Sequence, residues 1–393
     1  MPNVLVLNHF AVPRGEAGGT RHHELFSRLP GWSSLIVAAR RNPSTRNDMA
    51  DHEGFDFVPT WAYSSNGPAR VANWLSYAVA STAHHVLRSG LRPNVVYGSS
   101  PHLFAALAGW VLSARYRTPF VLEVRDMWPQ VLVDMNQLTE QSPVFKALTV
   151  LEEFLYARAD SIVVMAEGVQ SKLVERGVPA EKLHYIPNAA DPADFECDED
   201  RDAVRRDYGF DRFTFVYAGA HGPANGLDLL IEGAADIADI ADVVLVGDGV
   251  LKPELQRLAQ ERGADNVRFM DPIPKTEISR LLHAADAGVH CLADVELFHY
   301  GVSPNKIFDY QAAGLPVITN TPGEVTALVN RVGSGLAVAP QELGSGMRRI
   351  AEAPAEQLKT WRSAGKNYMQ ANQSRSAMAE RLVTVLEAVR RRA

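Results

Sequence analysis

Residues 4–29 of the chain read VLVLNHFAVPRGEAGGTRHHELFSRL, and this stretch decides the fold class. Residues 4–10, which are mostly apolar, predict a buried strand, and residues 20–29 predict a helix with Thr20 as its N-cap. A loop rich in glycine and proline joins the two. Strand, glycine-rich loop and helix in this order are how a doubly wound parallel sheet begins.

The alternation of strands and helices continues outward from this stretch and then starts a second time. In the first half, strands are predicted at residues 34–38, 95–98, 120–124, 161–165 and 184–186, with helices at 73–88 and 103–115. In the second half, strands are predicted at residues 214–218, 243–246, 267–270, 287–292, 316–319 and 336–338, again with helices between them. Two such series predict two parallel sheets, each covered by helices on both faces.

The chain is long enough for two domains, since one hydrophobic core rarely serves 393 residues. Residues 187–206 contain Pro-Asn-Ala-Ala-Asp-Pro and the acidic triplet 198–200, which together have the composition of a solvated linker. We therefore predict one domain at residues 1–187, a second at 188–372, and a C-terminal helix at 373–393 that packs back on the first domain.

Composition restricts the class of protein. Hydrophobic residues make up 46% and charged residues 22% of the chain, which is typical of a soluble globular protein. No apolar run reaches the ~18 residues of a membrane span, and the first residues lack the basic flank of a signal peptide, so we expect a cytoplasmic protein. Cys197 and Cys291 lie far apart without Cys or His partners at metal-ligand spacing, which disfavours a disulfide and a zinc site.

Charge is unevenly distributed along the chain. The net charge is −7, yet residues 1–122 hold 11 Arg against 6 Asp and Glu and therefore carry +5. Such a basic region can approach an anionic surface, although scattered solvated arginines account for the same count equally well. We expect no nucleic-acid partner.

The most informative stretch of the second half reads GVSPNKIFDYQAAGLPVI at residues 301–318. Ser303 is expected to be an N-cap, Pro304 fits the first helical position, and Gly314 ends the helix. A helix start carries free N–H groups and the positive end of the dipole, which together bind anions. Lys306 adds a full positive charge at the end where the dipole disfavours cations, and this indicates a bound anion.

The anion site is therefore predicted at Ser303, Pro304, Asn305 and Lys306. Asp309 lies one helical turn after Lys306 on the same face and can accept hydrogen bonds from a ribose diol. The alternative for Lys306 and Asp309 is an ordinary ion pair on the helix surface.

Three loops of the first half also follow predicted strands, where open parallel sheets bind their ligands. Gly18 and Gly19 open the first helix and let a phosphate or a second substrate approach the backbone closely, unless they only form a turn. Arg125 and Asp126 leave a buried strand and are costly there unless paired with each other or used by a ligand. His102 follows the strand at 95–98 and is a candidate for contact with a second substrate.

These landmarks, in this order, resemble the retaining GT-B glycosyltransferases of family 4. Residues 309–317, Asp-Tyr-Gln-Ala-Ala-Gly-Leu-Pro-Val, match the family motif from its second Glu onward, and the resemblance implies that Asp309 holds the ribose of the donor. Ile-Pro-Asn-x-x-Asp at 186–191, Tyr-Ala-Gly at 217–219, Gly-Leu-Asp-Leu-Leu at 226–230 and Val-Gly-Asp-Gly at 246–249 are similar to further landmarks. The resemblance covers the whole chain and implies two Rossmann-like α/β domains facing across a cleft, with Gly219 and Gly247 at the donor.

Three positions depart from the family pattern. Gly301 stands where the first motif Glu contacts the donor sugar, and Ala220 and Asn225 stand where the family has Arg and Lys. The charge of a donor diphosphate must then be met by Lys306, by backbone N–H groups and by His221. The variant Ser-Pro-Asn-Lys at 303–306, with Asp-Met-Trp-Pro at 126–129, is similar to a subgroup that builds bacterial surface polysaccharides on lipid carriers.

The resemblance implies a hexosyltransferase that moves a sugar, with retention, from a nucleotide diphosphate donor in the second domain to a saccharide acceptor on the first. The candidate catalytic residues are Lys306, Asp126, Arg125 and His102. No cofactor and no metal ion are expected, because Lys306 and the helix start take the place of a divalent cation. A nucleotide-sugar epimerase of the same architecture and a nucleotide-sugar binding protein without turnover are the alternatives, since a fold alone does not decide a function.

A lipid-linked acceptor would bring the first domain to the anionic inner face of the cell membrane. Residues 71–92 and 104–117 mix aromatic and aliphatic residues with arginine, as interfacial helices do, although helices that cover a sheet look much the same. The residues proposed to face the membrane are Trp74, Tyr77, Ala78, Ser81, Arg88 and Arg92 in the first segment and Leu107, Trp110, Arg115 and Arg117 in the second.

Overall fold

The computed structural model describes residues 1–63, 67–87, 92–134, 137–274, 277–295, 298, 302–303 and 305–392. The chain divides into two compact units: Met1–Pro187 with Arg375–Ala393 form unit 1, and Asn188–Ser374 form unit 2. Arg88, Gly301 and Pro304, which the sequence analysis singles out, lie outside the described residues.

Unit 1 is built on a parallel sheet with the strand order β3-β2-β1-β4-β5-β6-β7, the arrangement of a doubly wound fold. The strands are almost entirely apolar because helices bury both faces of the sheet. They are β1 (Asn3–Leu7), β2 (Ser33–Ala39), β3 (Phe55–Val58), β4 (Val95–Ser99), β5 (Phe120–Val124), β6 (Ser161–Val164) and β7 (Leu183–Tyr185).

The helices of unit 1 connect successive strands. They are α1 (Arg21–Phe26), α2 (Pro68–Leu87), α3 (Leu103–Tyr116), α4 (Gln130–Asp134), α5 (Pro143–Arg158) and α6 (Glu167–Glu175). Helix α1 is shorter than the predicted helix at 20–29, and Thr20 occupies its N-cap position without a side-chain capping hydrogen bond. Strand β3 and helices α5 and α6 are not among the elements predicted from the sequence.

Unit 2 repeats the architecture with the strand order β10-β9-β8-β11-β12-β13, again all parallel. Its strands are β8 (Phe213–Ala218), β9 (Ala241–Val246), β10 (Val267–Met270), β11 (Ala287–His290), β12 (Val317–Thr319) and β13 (Gly335–Ala337). Its helices are α7 (Arg201–Tyr208), α8 (Leu227–Ala235), α9 (Lys252–Glu261), α10 (Ile278–Ala284), α11 (Asn305–Ala312), α12 (Glu324–Val332), α13 (Leu343–Ala351) and α14 (Ala355–Asn372). The predicted α/β fold with two Rossmann-like units is confirmed.

The last helix, α15 (Arg375–Arg392), belongs to unit 1. Near its end, Glu387 accepts a hydrogen bond of 3.0 Å from the indole of Trp32. Arg375, at its start, lies 3.5 Å from the carboxylate of Glu24 in α1. These contacts hold the C-terminal helix against the first helix of the chain. In the parts of the chain that the structure describes, no helix combines the length and the hydrophobicity needed to span a bilayer.

The linker predicted at residues 187–206 is found only in part: the two units divide between Pro187 and Asn188, but helix α7 begins at Arg201, inside the stretch. Asp200 accepts a hydrogen bond from the N–H of Ala203 and so caps α7, which begins inside this stretch. The acidic triplet 198–200 lies in an exposed loop, as expected, and Glu199 of this loop forms an ion pair of 2.7 Å with Arg280. The composition of the stretch indicates turn residues, but it does not reveal an ion-pair partner about eighty positions away.

The face of α2 that was predicted to lie on the membrane is buried in unit 1. Tyr77 and Ser81 are fully buried and Ala78 is half-buried. The ring of Trp74 stacks on that of His102, with centroids 5.0 Å apart. This aromatic and small-residue face covers the sheet, which was the alternative that the sequence left open.

The exposed face of α2 carries aliphatic residues instead. Val71, Leu75 and Val79 are 40%, 44% and 68% exposed and lie four positions apart, on one side of the helix. In the second segment, Trp110 packs edge to face on Phe154 of α5, with centroids 4.7 Å apart. Trp110 therefore joins α3 to α5 rather than facing outward, and Leu107 is likewise half-buried, whereas Arg92, Arg115 and Arg117 are exposed.

Candidate functional site

The strand ends of unit 2 bring together residues that are distant in sequence. Gly219 directly follows β8, Gly247 directly follows β9, and His290 ends β11. Both glycines permit close approach: a Cβ on Gly219 would collide with the side chain of Lys306, and a Cβ on Gly247 would collide with the carbonyl of Gly219. The site predicted beyond the carboxyl ends of these strands therefore has Lys306 as its central charge.

The side chain of Lys306 crosses over Gly219 toward a polar neighbour. Its Nζ lies 5.1 Å from the centroid of the Tyr217 ring and 3.4 Å from Oδ1 of Asn225. Burial lowers the pKa of Lys306 from its ordinary value, while Cys291 and Asp309 act in the opposite direction. Among the described residues, no carboxylate forms a salt bridge with this ammonium. Because a buried cation without an ionic partner is costly, the position suits an anionic ligand.

The start of α11 is tied to the first residue of unit 2. The hydroxyl of Ser303 accepts a hydrogen bond of 2.9 Å from the N–H of Asn188, and the carbonyl of Ser303 accepts one of 2.5 Å from Nδ2 of Asn188. Asn305 is exposed in the first turn of the helix. Asp309 is half-buried one turn later, near enough for its charge to affect Lys306. Three predicted donor residues, Ser303, Asn305 and Asp309, thus lie on the helix that carries Lys306 or in the loop before it.

His221 lies beneath the loop at residues 247–249. Its N–H donates to the carbonyl of Asp248 at 2.8 Å, and its carbonyl accepts from the N–H of Leu251 at 3.1 Å. Both ring nitrogens are buried, and in the described part of the chain neither has a hydrogen-bond partner. Burial lowers the pKa of His221, with Lys252 adding to the effect, so the ring is neutral. The structure therefore places this ring as support under the loop, with no nitrogen turned to open space.

His290 is a part of the site that the sequence analysis did not identify. Its Nδ1 lies 3.1 Å from the hydroxyls of both Thr319 and Thr321, at the end of the neighbouring strand. Burial, followed by the charge of Lys306, lowers the pKa of His290 to about 3. A neutral histidine adds no charge of its own beside Lys306. The sequence offered no signal, because a histidine at the end of an apolar strand is common in cores.

A buried carboxylate organises the strand ends of unit 1. Glu123 of β5 accepts hydrogen bonds of 3.0 Å from Nε of Arg21, 2.7 Å from Nε2 of His22 and 2.6 Å from the hydroxyl of Ser99. Burial by itself raises the pKa of Glu123, but His22 and Arg21 outweigh it and hold the pKa well below its usual range. Glu123 was missed from the sequence, although a charged residue inside an apolar strand is a recognisable signal.

Arg21 connects this carboxylate to the last residues of unit 1. Its guanidinium donates to the carbonyls of Ile186 and Pro187 at 2.7 and 2.6 Å, where the chain leaves the unit. Arg21 begins α1, immediately after the loop that contains Gly18 and Gly19. A Cβ on Gly19 would meet nothing within 4 Å, so the backbone there is open to a ligand.

Arg125 and Asp126, which follow β5, do not form the ion pair that was one of the two alternatives for them. Arg125 is half-buried and Asp126 is exposed, and no salt bridge joins the two side chains in the described structure. The protein surrounding Asp126 raises the pKa of this carboxyl, while Arg125 acts to lower it. Asp126 is therefore an exposed carboxyl beside the half-buried Arg125, directly after β5.

His102 has no contact with solvent. Its Nδ1 accepts a hydrogen bond of 3.2 Å from the N–H of Ala105 and so caps α3, and its Nε2 lies 2.8 Å from Nδ1 of His9. Burial, followed by His9, holds the pKa of His102 well below its ordinary value. The structure therefore places His102 behind His9, where it orients that ring instead of touching a ligand.

The buried histidines predict that acid destabilises the protein, and unit 1 more than unit 2. Burial lowers the pKa of His9 to about 3 and lowers the pKa values of four further histidines of unit 1, which are His22, His23, His102 and His184. In unit 2 it lowers the pKa values of only two of the described histidines, His221 and His290. The unfolded chain binds protons at these rings below pH ~6.5 and the folded chain does not, so stability is complete above that pH and falls below it. Each ring contributes about 1.4 kcal/mol per pH unit.

Calorimetric scans between pH 7.5 and 5.0 check this expectation. The transition of unit 1 should move to lower temperature more steeply than that of unit 2 as the pH falls. Midpoints that stay constant over this range would contradict the assignment of neutral, buried rings.

Comparisons with known proteins agree with this fold. Residues 20–189 match the model of the glycosyl transferase 4-like domain, and residues 212–353 match the model of glycosyl transferases group 1. A protein of Escherichia coli K12 named as colanic acid biosynthesis glycosyl transferase WcaI is 26% identical over 61% of this chain and 60% of its own length. WbjE of Pseudomonas aeruginosa, named as a glycosyltransferase, is 23% identical over 86% of this chain and 84% of its own.

A solved structure shares the fold over nearly the full length. The crystal structure of Anabaena HepE in complex with UDP-glucose superimposes with a TM-score of 0.73 and 17% identity. The match covers 98% of this chain and 99% of HepE. At this level of identity the likeness concerns the fold alone.

Proposed function

The chain belongs to the GT-B glycosyltransferases of the family 4-like type, and from this premise we propose that unit 2 binds a nucleotide diphosphate sugar and that its sugar is transferred with retention to a saccharide acceptor. The observation that carries the proposal is the ammonium of the half-buried Lys306, which has no salt-bridge partner among the described residues and lies at the strand ends of unit 2. A diphosphate would supply the missing charge.

In the proposed mechanism the leaving diphosphate accepts the proton of the acceptor hydroxyl, as the resemblance to family 4 implies. Lys306 and the N–H groups at the start of α11 stabilise the negative charge that develops on the diphosphate. Asp309, one turn later, holds the ribose. Gly219 and Gly247 leave room for the donor because neither has a side chain. Asp126, Arg125 and the Gly18–Gly19 loop are proposed to act on the acceptor side.

The relatives suggest the substrate class. WcaI is named for colanic acid biosynthesis, and the motif variant at 303–306 is similar to a subgroup that builds surface polysaccharides. We therefore propose a role in bacterial surface polysaccharide synthesis, with a lipid-linked saccharide as the acceptor at the cytoplasmic face of the membrane. Val71, Leu75 and Val79 of α2, exposed on one side of unit 1, are the residues proposed to enter the lipid surface.

The membrane proposal predicts co-sedimentation with vesicles that contain anionic lipid, strong at low salt and weak at high salt, since each interfacial arginine contributes about 1 kcal/mol. Replacing Leu75 and Val79 by Ser should reduce binding, and changing Arg92, Arg115 and Arg117 to Gln should weaken its salt dependence. Val174→Ser is the matched control, because Val174 is also exposed in unit 1 but lies on α6. Protein that stays in the supernatant at low salt would remove the membrane part and leave the transferase intact.

The transferase proposal is tested by incubating the enzyme with nucleotide sugars and saccharide acceptors. We expect a nucleoside diphosphate and a glycosylated product with unchanged anomeric configuration, formed equally well in EDTA because Lys306 takes the place of a metal ion. Activity that disappears in EDTA and returns only with Mg²⁺ or Mn²⁺ would refute the metal-free mechanism. Conversion of the donor without an acceptor would favour an epimerase, and binding without release of nucleoside diphosphate would favour a binding protein.

A further inference from the structure

Unit 1 contains a polar recess that the mechanism above does not use. It lies where β1 ends and is bordered by the loop after β2, the loop after β3 and the first turns of α2. Its lining includes His9, Phe10, Arg41, Arg46, Tyr63 and Asn73.

The hydrogen-bond chain behind His9 determines which of its ring nitrogens carries the proton. The N–H of Ala105 donates to Nδ1 of His102, so the proton of the neutral His102 ring must be on Nε2. That proton is donated to Nδ1 of His9, 2.8 Å away. The remaining proton of His9 is therefore on Nε2, and the ring offers a donor to the recess.

His9 is also held in place from both sides. Its ring stacks on Phe10 and on Tyr77, with centroids 4.4 Å apart in each case. Burial, followed by the charge of Arg70, lowers the pKa of His9 to about 3. The ring is thus a fixed neutral donor over the whole physiological range of pH and does not act as a base there.

Asn73 supplies the complementary acceptor. Its Nδ2 donates to the carbonyl of Trp61 at 2.6 Å, which fixes the orientation of the amide. The residue is only 3% exposed, and its Oδ1 is buried without a hydrogen-bond partner among the described residues. A buried oxygen of this kind is costly unless a ligand or water donates to it.

Two guanidinium groups border the same recess. Arg41 donates through Nε to the carbonyl of Arg46 at 2.7 Å, and the Arg46 guanidinium lies 4.3 Å from the centroid of the Tyr63 ring. Neither arginine forms a salt bridge within the described residues. The nearby carboxylate of Glu16 instead accepts from Nδ2 of Asn42 at 3.2 Å. Two cations without carboxylate partners suit an oxyanion.

We propose that this recess binds the saccharide acceptor through one hydroxyl and one oxyanion. A sugar hydroxyl both accepts and donates, so it matches Nε2–H of His9 and Oδ1 of Asn73 together. The oxyanion, which Arg41 and Arg46 bind, is either a phosphate of a lipid-linked sugar or the carboxylate of a uronic acid. The inference rests on the proposed function and adds that the acceptor is anionic.

Titration of the full-length protein with glucose, glucuronate and glucose 1-phosphate, followed by ligand-observed NMR, tests the proposal. At least one anionic sugar should bind about tenfold more tightly than glucose, a difference of about 1.4 kcal/mol. Preference for glucose 1-phosphate alone would identify the phosphate, and preference for glucuronate alone would identify the carboxylate. Equal affinities for all three sugars, or no binding of any, would overturn the inference.

Variants separate this site from the donor site. Replacing Arg41 and Arg46 by Gln should abolish the preference, whereas Lys306→Ala should leave it intact and weaken only the binding of nucleoside diphosphate. If Lys306→Ala abolished the preference instead, the anionic sugars would be binding in unit 2, and the inference would fail while the proposed function stood. If nucleoside diphosphate bound to both variants as tightly as to the wild-type protein, the proposed function would be contradicted and the inference about the recess would not be affected.

Asn73 and His9 are tested by different readouts. Asn73→Leu removes the acceptor oxygen and should raise the KM for the saccharide acceptor about tenfold or more, with little change in the KM for the donor. Because substitution of His9 endangers the core, its protonation is better read in the wild-type protein by long-range ¹H–¹⁵N NMR of the imidazole. A His9 ring protonated on Nδ1 would contradict the assignment.

Discussion

Lys306→Ala is expected to lower turnover by about a hundredfold or more while the protein stays folded. The reason is electrostatic: Nζ of Lys306 is a cation at the strand ends of unit 2, and its partial burial strengthens its interaction with a developing anion. Losing one preorganised charge of this kind costs several kcal/mol of transition-state stabilisation. The measurement is kcat at saturating donor.

The structure supplies a rescue for this variant. Because Nζ of Lys306 lies 3.4 Å from Oδ1 of Asn225, a lysine at position 225 can bring its ammonium to nearly the same place. Asn225→Lys in the Lys306→Ala background should therefore recover about tenfold or more of the lost turnover. Gly219→Ala should impair the enzyme as well, since a Cβ there collides with the lysine stem.

A matched control separates this effect from a general loss of positive charge. Lys359 is exposed on α14, in the same unit, and Lys359→Ala should leave turnover unchanged. If Lys306→Ala also had full turnover at saturating donor, Lys306 would have no part in the mechanism. If Lys306→Ala lowered turnover and Asn225→Lys did not restore it, the position of the lysine side chain would matter as well as its charge.

Glu123→Gln should lower the free energy of unfolding of unit 1 by about 3–5 kcal/mol, a larger loss than we expect from the other variants proposed above. Glutamine preserves the shape of the side chain but removes the negative charge from a fully buried position. Arg21, whose side chain is only 10% exposed, then loses the carboxylate of Glu123, and His22 and Ser99 lose an ionised acceptor. Breaking one partner of a buried pair costs more than the pair itself contributes.

Calorimetry or denaturant titration measures this loss. For a unit of this size, the expected change corresponds to a fall of roughly 10 °C in the transition of unit 1, with the transition of unit 2 unchanged. Glu153→Gln serves as control, because Glu153 is a glutamate of the same unit that is exposed on α5. A loss below about 1 kcal/mol would mean that the Glu123 network is relaxed or solvated in solution.

The succession of elements could be predicted from the sequence because the signals are local. Apolar runs at 120–124 and 267–270 coincide with β5 and β10, and Lys306 and Asp309 lie on a helix, α11, as predicted. Strand β3 (Phe55–Val58) was not predicted from the sequence, although strands as short as β12 and β13 were.

The partners of individual side chains were decided by the tertiary structure, because the parallel strand order places distant residues side by side. Glu123 meets Arg21 and His22 about a hundred positions away. His102 meets His9 at a separation of 93, and Lys306 reaches Asn225 at a separation of 81. No local pattern encodes such pairings, since any compatible side chain at the neighbouring strand end would satisfy the same sequence signal.

The orientation of α2 shows the same division. Its sequence identifies an amphipathic helix with an aromatic side and an aliphatic side, and either side could have faced the sheet. The aromatic side is the buried one, because the hydroxyl of Tyr77 donates to a buried carbonyl of β2 and Trp74 stacks on the ring of His102. Local periodicity therefore determines that an element forms and how its faces differ, whereas the partners available in the folded chain determine which face is buried.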